Sequence, residues 1–310
     1  MLSSLNKISF LMFSFSPSSV HFSIIFEQKF YLLTVYKYFC PVLYISKLFE
    51  NYVKFNFHVG LAVFAFAKIT ALDFDLYLNF LDQVIFFVAP FLAYNFIKFY
   101  LFFLDGITLK VNAIRFLLGF TVFSVFLFQG GVFYLSLFSR TILFLTILLV
   151  LLYCFPLPGF KLNFRGFKGL KIHLVALSWV LITVFLPLSM AEKNMTEFSL
   201  IYGLQRYLFV LVATLPFEIR DLKLDDPNLS TWPQKWGIKK TRLIGGLLLS
   251  LFVFLEIYYS ASSNILLVLS TAFLLMAFVL KAKVEQSKYF SSFWVEGIPI
   301  LWLILKYLTI

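Results

Sequence analysis

One concentrated acidic segment interrupts the apolar stretches of this chain: Glu218-Ile219-Arg220-Asp221-Leu222-Lys223-Leu224-Asp225-Asp226-Pro227, entered directly from Leu215-Pro216-Phe217. Continued as an α-helix at about 100° per residue, it sets Asp221 at ~300° and Asp225 at ~340° from Glu218, so three carboxylates share one stripe. Like charges stacked on one face repel, and each added carboxylate near a low-dielectric boundary raises the cost of ionisation, so a cation must compensate. Oxygen ligands at this spacing suit Mg²⁺, which keeps several waters and bridges one or two carboxylates to substrate phosphates. The plainer reading of the same residues is a solvated loop in which Arg220 and Lys223 neutralise the acids.

Other polar residues sit inside apolar runs. Lys98 follows Asn95 by three positions, hence on nearly the same helix face, in a run where a cation costs ~2.5–3.5 kcal/mol on insertion scales. That charge needs a partner, and we expect Lys98 to pair with Asp221 or Asp225; snorkelling to the headgroups is the alternative. Gln205-Arg206 and Glu256 are expected to face a cavity or to pair with one another. Arg206 lies about 18 Å of helix before Glu218, too far to touch it within that helix. His58 and His173 lack His, Cys or Asp companions and read as interfacial packing. Cys40 and Cys154 form no CxxC or metal-type spacing.

The elements that must hold these groups are set by composition. Of 310 residues, 61% are hydrophobic and 13% charged, with a mean hydropathy of +0.92, more apolar surface than a soluble core absorbs. Apolar runs able to cross ~30 Å of hydrocarbon as helix recur at 57–72, 81–104, 113–130, 132–155, 172–190, 198–217, 243–260, 264–280 and 290–308. The fold class is therefore all-α, a polytopic membrane bundle of about nine transmembrane helices. A β-barrel is excluded because segments such as Leu143 to Phe155 do not alternate apolar and polar. Residues 1–50 read as an interfacial or poorly ordered extension and 51–310 as the transmembrane domain.

Basic residues mark alternate loops: Lys110 and Arg115; Lys161, Arg165, Lys168 and Lys171; Arg220, Lys223, Lys235, Lys239, Lys240 and Arg242; and Lys281, Lys283 and Lys288. The loops between carry only Lys193. The positive-inside rule turns the basic loops, and with them the acidic segment, to the cytoplasm. The net charge of +11 thus belongs to membrane topology, not to a nucleic-acid partner. Arg140, inside the fourth run, is expected to snorkel.

The segment Glu218-x-x-Asp221-x-x-x-Asp225, at the end of the sixth run, resembles the second aspartate-rich motif of the UbiA superfamily of intramembrane prenyltransferases, approximately D-x-x-D-x-x-x-D with Ile-Arg inside it. Thr231-x-Pro233-Gln234, Gly237 and Lys239-Lys240-Thr241 look like the family's continuation into its seventh helix. The resemblance covers about Asn56 to the C-terminus. It implies helices around a central cavity and Mg²⁺ held by two aspartate-rich motifs against a prenyl diphosphate. It also implies transfer of the prenyl group to an acceptor once the allylic diphosphate ionises. Carried over, Asp221 and Asp225 would be catalytic, Glu218, Asp221 and Asp225 would ligate the metal, and Asn95, Arg165, Lys168, Lys171 and Arg220 would bind substrate. Lys98, outside the family pattern, is expected either to hold the diphosphate directly in place of one metal or to close the site as a salt bridge. The first motif departs from the family: in Asn95-Phe96-Ile97-Lys98-Phe99-Tyr100-Leu101-Phe102-Phe103, phenylalanines 96, 99 and 103 stand where aspartates are expected.

These residues lead to a Mg²⁺-dependent prenyltransferase in a bacterial inner membrane as the first expectation. A catalytically inactive relative acting as a lipid-binding or assembly partner is the second. A secondary transporter is disfavoured, because no inverted repeat with matched Gly/Pro breaks is found.

Overall fold

In the computed structural model each apolar run named above lies on a helix. The helices are α1 (Phe57–Asp73), α2 (Phe80–Leu104), α3 (Val111–Phe133), α4 (Leu137–Cys154), α5 (Lys171–Met190), α6 (Glu197–Arg220), α7 (Trp232–Tyr258), α8 (Ile265–Lys281) and α9 (Phe290–Thr309). The structure describes residues 46–104, 111–155, 169–259 and 264–309, without the side chains of 99, 101–104, 111–118 and 228. The chain divides into Met1–Asn51 and Tyr52–Ile310; of the first unit, residues 46–51 are described, and they are helical.

Six helices among the described residues are long and apolar enough to cross a membrane: α2, α4, α5, α6, α7 and α9. A seventh span results if Ser46–Lys54 and α1, separated by a break, act as one. Gly119–Phe133 within α3, and α8, are shorter apolar helices. The chain is an all-helical integral membrane protein as far as it is described. Among the described residues six helices, or seven with the broken pair joined, meet the length and apolarity that a full crossing requires, so the expected count of about nine is not confirmed.

α6 is the hub of the larger unit. It packs on α5, α7 and α8, while α1 packs on α2, α9 and the middle of α5. Close approach is enabled where the side chain is missing. A Cβ on Gly245 of α7 would meet Leu215 Cδ1 of α6 at 2.7 Å, the small-residue contact that lets membrane helices pack without a hydrophobic drive between them. At the centre, Phe66 of α1 meets Trp179 (6.0 Å), Phe209 (5.6 Å) and Trp302 (6.1 Å) edge-on, with centroid distances typical of aromatic clusters.

Three local irregularities shape the end of the bundle that carries the acidic segment. Thr231 and Gln234 form a capping box at the start of α7, and Gly237 there has φ 74° and ψ 162°, a conformation open essentially to glycine. This is why α7 begins at Trp232, well before the apolar run expected from 243, and turns sharply into it. Leu181–Phe185 in α5 and Phe290–Val295 in α9 are π-helical turns, in which an extra residue per turn displaces backbone groups. In α9 the Phe293 carbonyl accepts from Gly297 N at 2.8 Å and from His58 Nε2 at 2.9 Å. With Nε2 donating, His58 Nδ1 is the acceptor for Tyr52 Oη at 2.7 Å, so this histidine fastens α1 to α9.

Candidate functional site

Glu218 occupies the last turn of α6 and Asp221 is its C-cap, at φ −83° and ψ 1°. A helix C-terminus carries partial negative charge, which disfavours each carboxylate by roughly 0.3–1 kcal/mol. The helix does not continue through the acidic segment: Asp221–Lys223 form a 3-10 turn, and Leu224 N and Asp225 N both donate to Asp221 O at 2.8 Å. The single stripe expected from a continuous helix is broken there, and the acids separate into two ion-paired groups.

Glu218 and Asp225 converge on Lys171, whose Nζ lies 3.0 Å from Glu218 Oε1 and 2.8 Å from Asp225 Oδ2. Asp221 is gripped by its neighbour Arg220, with Nε to Oδ1 at 2.7 Å and Nη2 to Oδ2 at 3.0 Å, the bidentate fork that suits a carboxylate. Arg220 also donates to Ser292 Oγ on the α9 π-turn at 3.3 Å and lies over the Phe217 ring. Lys171 opens α5, the end of a helix where a cation works against the dipole. The two carboxylates supply the attraction that holds it there.

Of these groups Lys171, Glu218 and Asp221 line a cavity of about 200 Å³, while Asp225 and Arg220 hold them from outside its lining. Its walls include Phe66, Tyr94, Trp179, Phe209 and Phe217, and its polar lining includes Lys171, Glu218, Asp221 and Glu296. A second, apolar cavity of about 350 Å³, lined mainly from α2, α3, α4 and α5, shares Tyr94 and Trp179 with the first. Trp179 Nε1 donates to Tyr94 Oη at 2.9 Å, so this hydrogen-bonded pair borders both spaces.

The contribution of α2 differs from expectation. Asn95 is not among the lining residues: its Nδ2 donates to Phe55 O at 3.0 Å and Phe91 O at 2.8 Å, and its Oδ1 accepts from Asn56 Nδ2 at 3.1 Å. It pins the chain where Asn56 takes left-handed backbone, φ 59°, and the polar atom that α2 offers the cavity is Tyr94 Oη. Lys98 donates to the Lys54 carbonyl, and its expected pairing with Asp221 or Asp225 is not formed because Arg220 and Lys171 already hold those acids. Phe96 is 41% exposed and packs against Tyr100 and Phe155. Arg165 and Lys168, like Lys161, lie outside the described residues, as do the side chains of Phe99 and Phe103.

Glu296, directly after the α9 π-turn, is a cavity carboxylate that sequence reasoning missed. Its signal was the one that singled out Lys98 and Glu256, a charge inside an apolar run. The suggested Arg206–Glu256 ion pair is replaced by other partners: Arg206 donates to Tyr202 Oη (2.9 Å) and Phe66 O (3.3 Å). His173 Nδ1 bonds Tyr207 Oη.

Among the described residues no three His, Cys, Asp or Glu side chains gather as a metal site. Glu218, Asp221 and Asp225 are neutralised by cations of the chain itself, and the described side chains of α2 bring no carboxylate to the cavity. The described residues, so paired, do not fit a resident Mg²⁺.

No protein-family model matches the chain, and no curated protein matches it. Solved structures do. A UbiA homolog from Archaeoglobus fulgidus matches with a TM-score of 0.56 at 13% identity, over 83% of this chain and 98% of that one. The same homolog bound to GPP and Mg²⁺ matches equally, with a TM-score of 0.56 and 13% identity over 83% and 98% of the two chains. A structure described as giving insights into the biosynthesis of digeranylgeranylglyceryl phosphate synthase in membranes matches with a TM-score of 0.53 at 15% identity, over 85% and 99%. The chain has the UbiA fold. Identities this low carry the fold and no activity, so what the UbiA-fold cavity does here rests on its own residues.

Proposed function

We propose that the chain is a divergent member of the UbiA superfamily whose cavity binds an isoprenoid lipid without a resident divalent metal, as a non-catalytic lipid-binding or assembly protein of the membrane. The observation that carries this reading is the cavity of aromatic and aliphatic walls, closed at one side by acids that Lys171 and Arg220 already neutralise. The UbiA homolog of the same fold is described bound to GPP or DMAPP with Mg²⁺; here an apolar cavity is present and the acids beside it are taken up by cations of the chain.

Charge selects the head group. Lys171 is held by Glu218 and Asp225, and Arg220 by Asp221. A diphosphate would have to displace those carboxylates to reach either cation, whereas an uncharged head with a hydroxyl or carbonyl finds donors and acceptors in Lys171, Tyr94 and Glu296 without breaking them. The basic loops support a cytoplasmic orientation for this rim, in what we take to be a bacterial inner membrane.

Titrating geraniol into detergent-solubilised protein tests the reading. Saturable binding is expected for the wild type and loss of binding for Ala213→Trp, which fills the cavity from α6. Equal binding by both proteins places the lipid elsewhere and refutes it. The second reading, Mg²⁺-dependent prenyl transfer from a prenyl diphosphate to an acceptor with Asp221 and Asp225 as catalytic groups, is favoured by Glu218 and Asp221 lining the cavity. Release of diphosphate from GPP that requires Mg²⁺ and is lost in Asp221→Asn establishes that reading in place of the first.

A further inference from the structure

Two carboxylates from the end of α6 and the turn after it meet on a single ammonium from a distant part of the chain, Lys171 Nζ, at 3.0 and 2.8 Å. Their oxygens therefore lie no more than about 6 Å apart, the limit those two contacts set. A divalent cation ligates carboxylate oxygens at ~2.0–2.6 Å, so each oxygen needs to close by less than about 1 Å to share a metal instead of the ammonium. The third acid, Asp221, is chelated by Arg220, itself fixed to Ser292 and lying over Phe217. Each carboxylate thus has a tethered positive charge where an exchangeable ion would have to enter.

We propose that the Lys171 ammonium stands in the position of a divalent cation between Glu218 and Asp225, a built-in counter-ion that makes this rim independent of metal. The premise of a metal-free rim is shared with the proposed function, and the step beyond it is that the Lys171 ammonium occupies the place a metal would take between these two acids. Two features of the chain support it. Lys171 is placed against its helix dipole, so the acid pair and not the helix accounts for its position. Glu218 is 3% exposed, and a buried carboxylate keeps a bound cation of one kind or another. Removing the ammonium leaves two neighbouring buried carboxylates whose repulsion is relieved by a divalent ion, the arrangement from which Mg²⁺ or Mn²⁺ sites with one or two carboxylates are made.

The experiment is Mn²⁺ binding, followed by electron paramagnetic resonance on purified protein in detergent. Wild type, Lys171→Arg, Lys171→Met and the double variant Lys171→Met/Glu218→Gln are compared. Wild type and Lys171→Arg are expected to leave Mn²⁺ free, and Lys171→Met to bind one ion at least about tenfold tighter than either. The double variant is expected to lose that gain. If Lys171→Met is too unstable to purify without metal, the same result is read as Mn²⁺-dependent recovery of its thermal unfolding transition, absent in the double variant. Mn²⁺ binding by wild type, or no gain in Lys171→Met by either readout, overturns the proposal. Geraniol binding by wild type, measured alongside, reports on the lipid cavity separately, so failure of one idea is not mistaken for failure of the other.

Discussion

α6 carries a buried ionic cluster in its first half and another at its end, and the two are built to different plans. In the first, Asp73 Oδ1 takes Lys306 Nζ at 2.6 Å and Oδ2 takes Tyr202 Oη at 2.8 Å. Arg206 completes the group by donating to Tyr202 and lying 3.9 Å over the Phe66 ring. None of these charged side chains lines either cavity. In the second cluster the acids are equally well paired, yet Glu218, Asp221 and Lys171 keep a face on the cavity. A buried charge in a membrane helix therefore reports a function only where empty space touches it. The first cluster ties α1, α6 and α9 together, and the second presents polar atoms to the cavity.

That contrast can be broken most severely at Lys306. Lys306→Ala leaves Asp73 buried with its main counter-charge gone, a change expected to cost ~3–5 kcal/mol. Thermal unfolding in detergent should show the loss, while geraniol affinity of the protein that remains folded stays at the wild-type value. A fall in affinity would merge the two clusters into one functional unit.

Restoring an acid to α2 tests whether the site is short of one residue or of a whole face. Phe96→Asp places a charge on a 41% exposed, apolar helix surface, with an expected insertion cost of ~2.5–3.5 kcal/mol. Membrane yield should fall and Mn²⁺ binding should not appear. Mn²⁺ binding in that variant would show that α2 faces the acids after all.

Trp179→Phe removes the hydrogen bond to Tyr94 and is expected to destabilise by about 0.5–1.5 kcal/mol. Because this pair borders both cavities, its binding preference should move toward longer prenyl alcohols; an unchanged preference would separate the second cavity from the ligand. Lys223→Ala, at a pair whose side chains are 69% and 87% exposed, should shift stability by no more than ~0.5 kcal/mol and leave geraniol binding alone, as unfolding and titration would record.

Much of this architecture is legible in the sequence because it is encoded locally. Helix positions follow from apolar run lengths, and the acidic motif follows from three residues within one or two turns. What could not be read is what lies far apart in the chain. Lys171 and Asp225 are joined across 54 positions and Lys306 and Asp73 across 233, and only packing brings them together. Asn95 has the residue type of a ligand-binding position, but the break at Asn56 claims its amide first. The helix stop at Asp221 also defeats a stripe drawn from ideal helix geometry. Glu296 and Lys306 were findable, since each is a lone charge in the last apolar run; neither has a neighbouring motif to draw attention to it.

The most direct test of a self-neutralised, metal-free lipid site is a pair of titrations, geraniol and GPP into the same wild-type protein, each in Mg²⁺ and in EDTA. The account predicts that geraniol binds more tightly than GPP and that Mg²⁺ changes neither affinity by as much as about tenfold, or ~1.4 kcal/mol. Mg²⁺ that tightens GPP by that factor or more would contradict it, because the acids would then prefer a metal to Lys171 and Arg220.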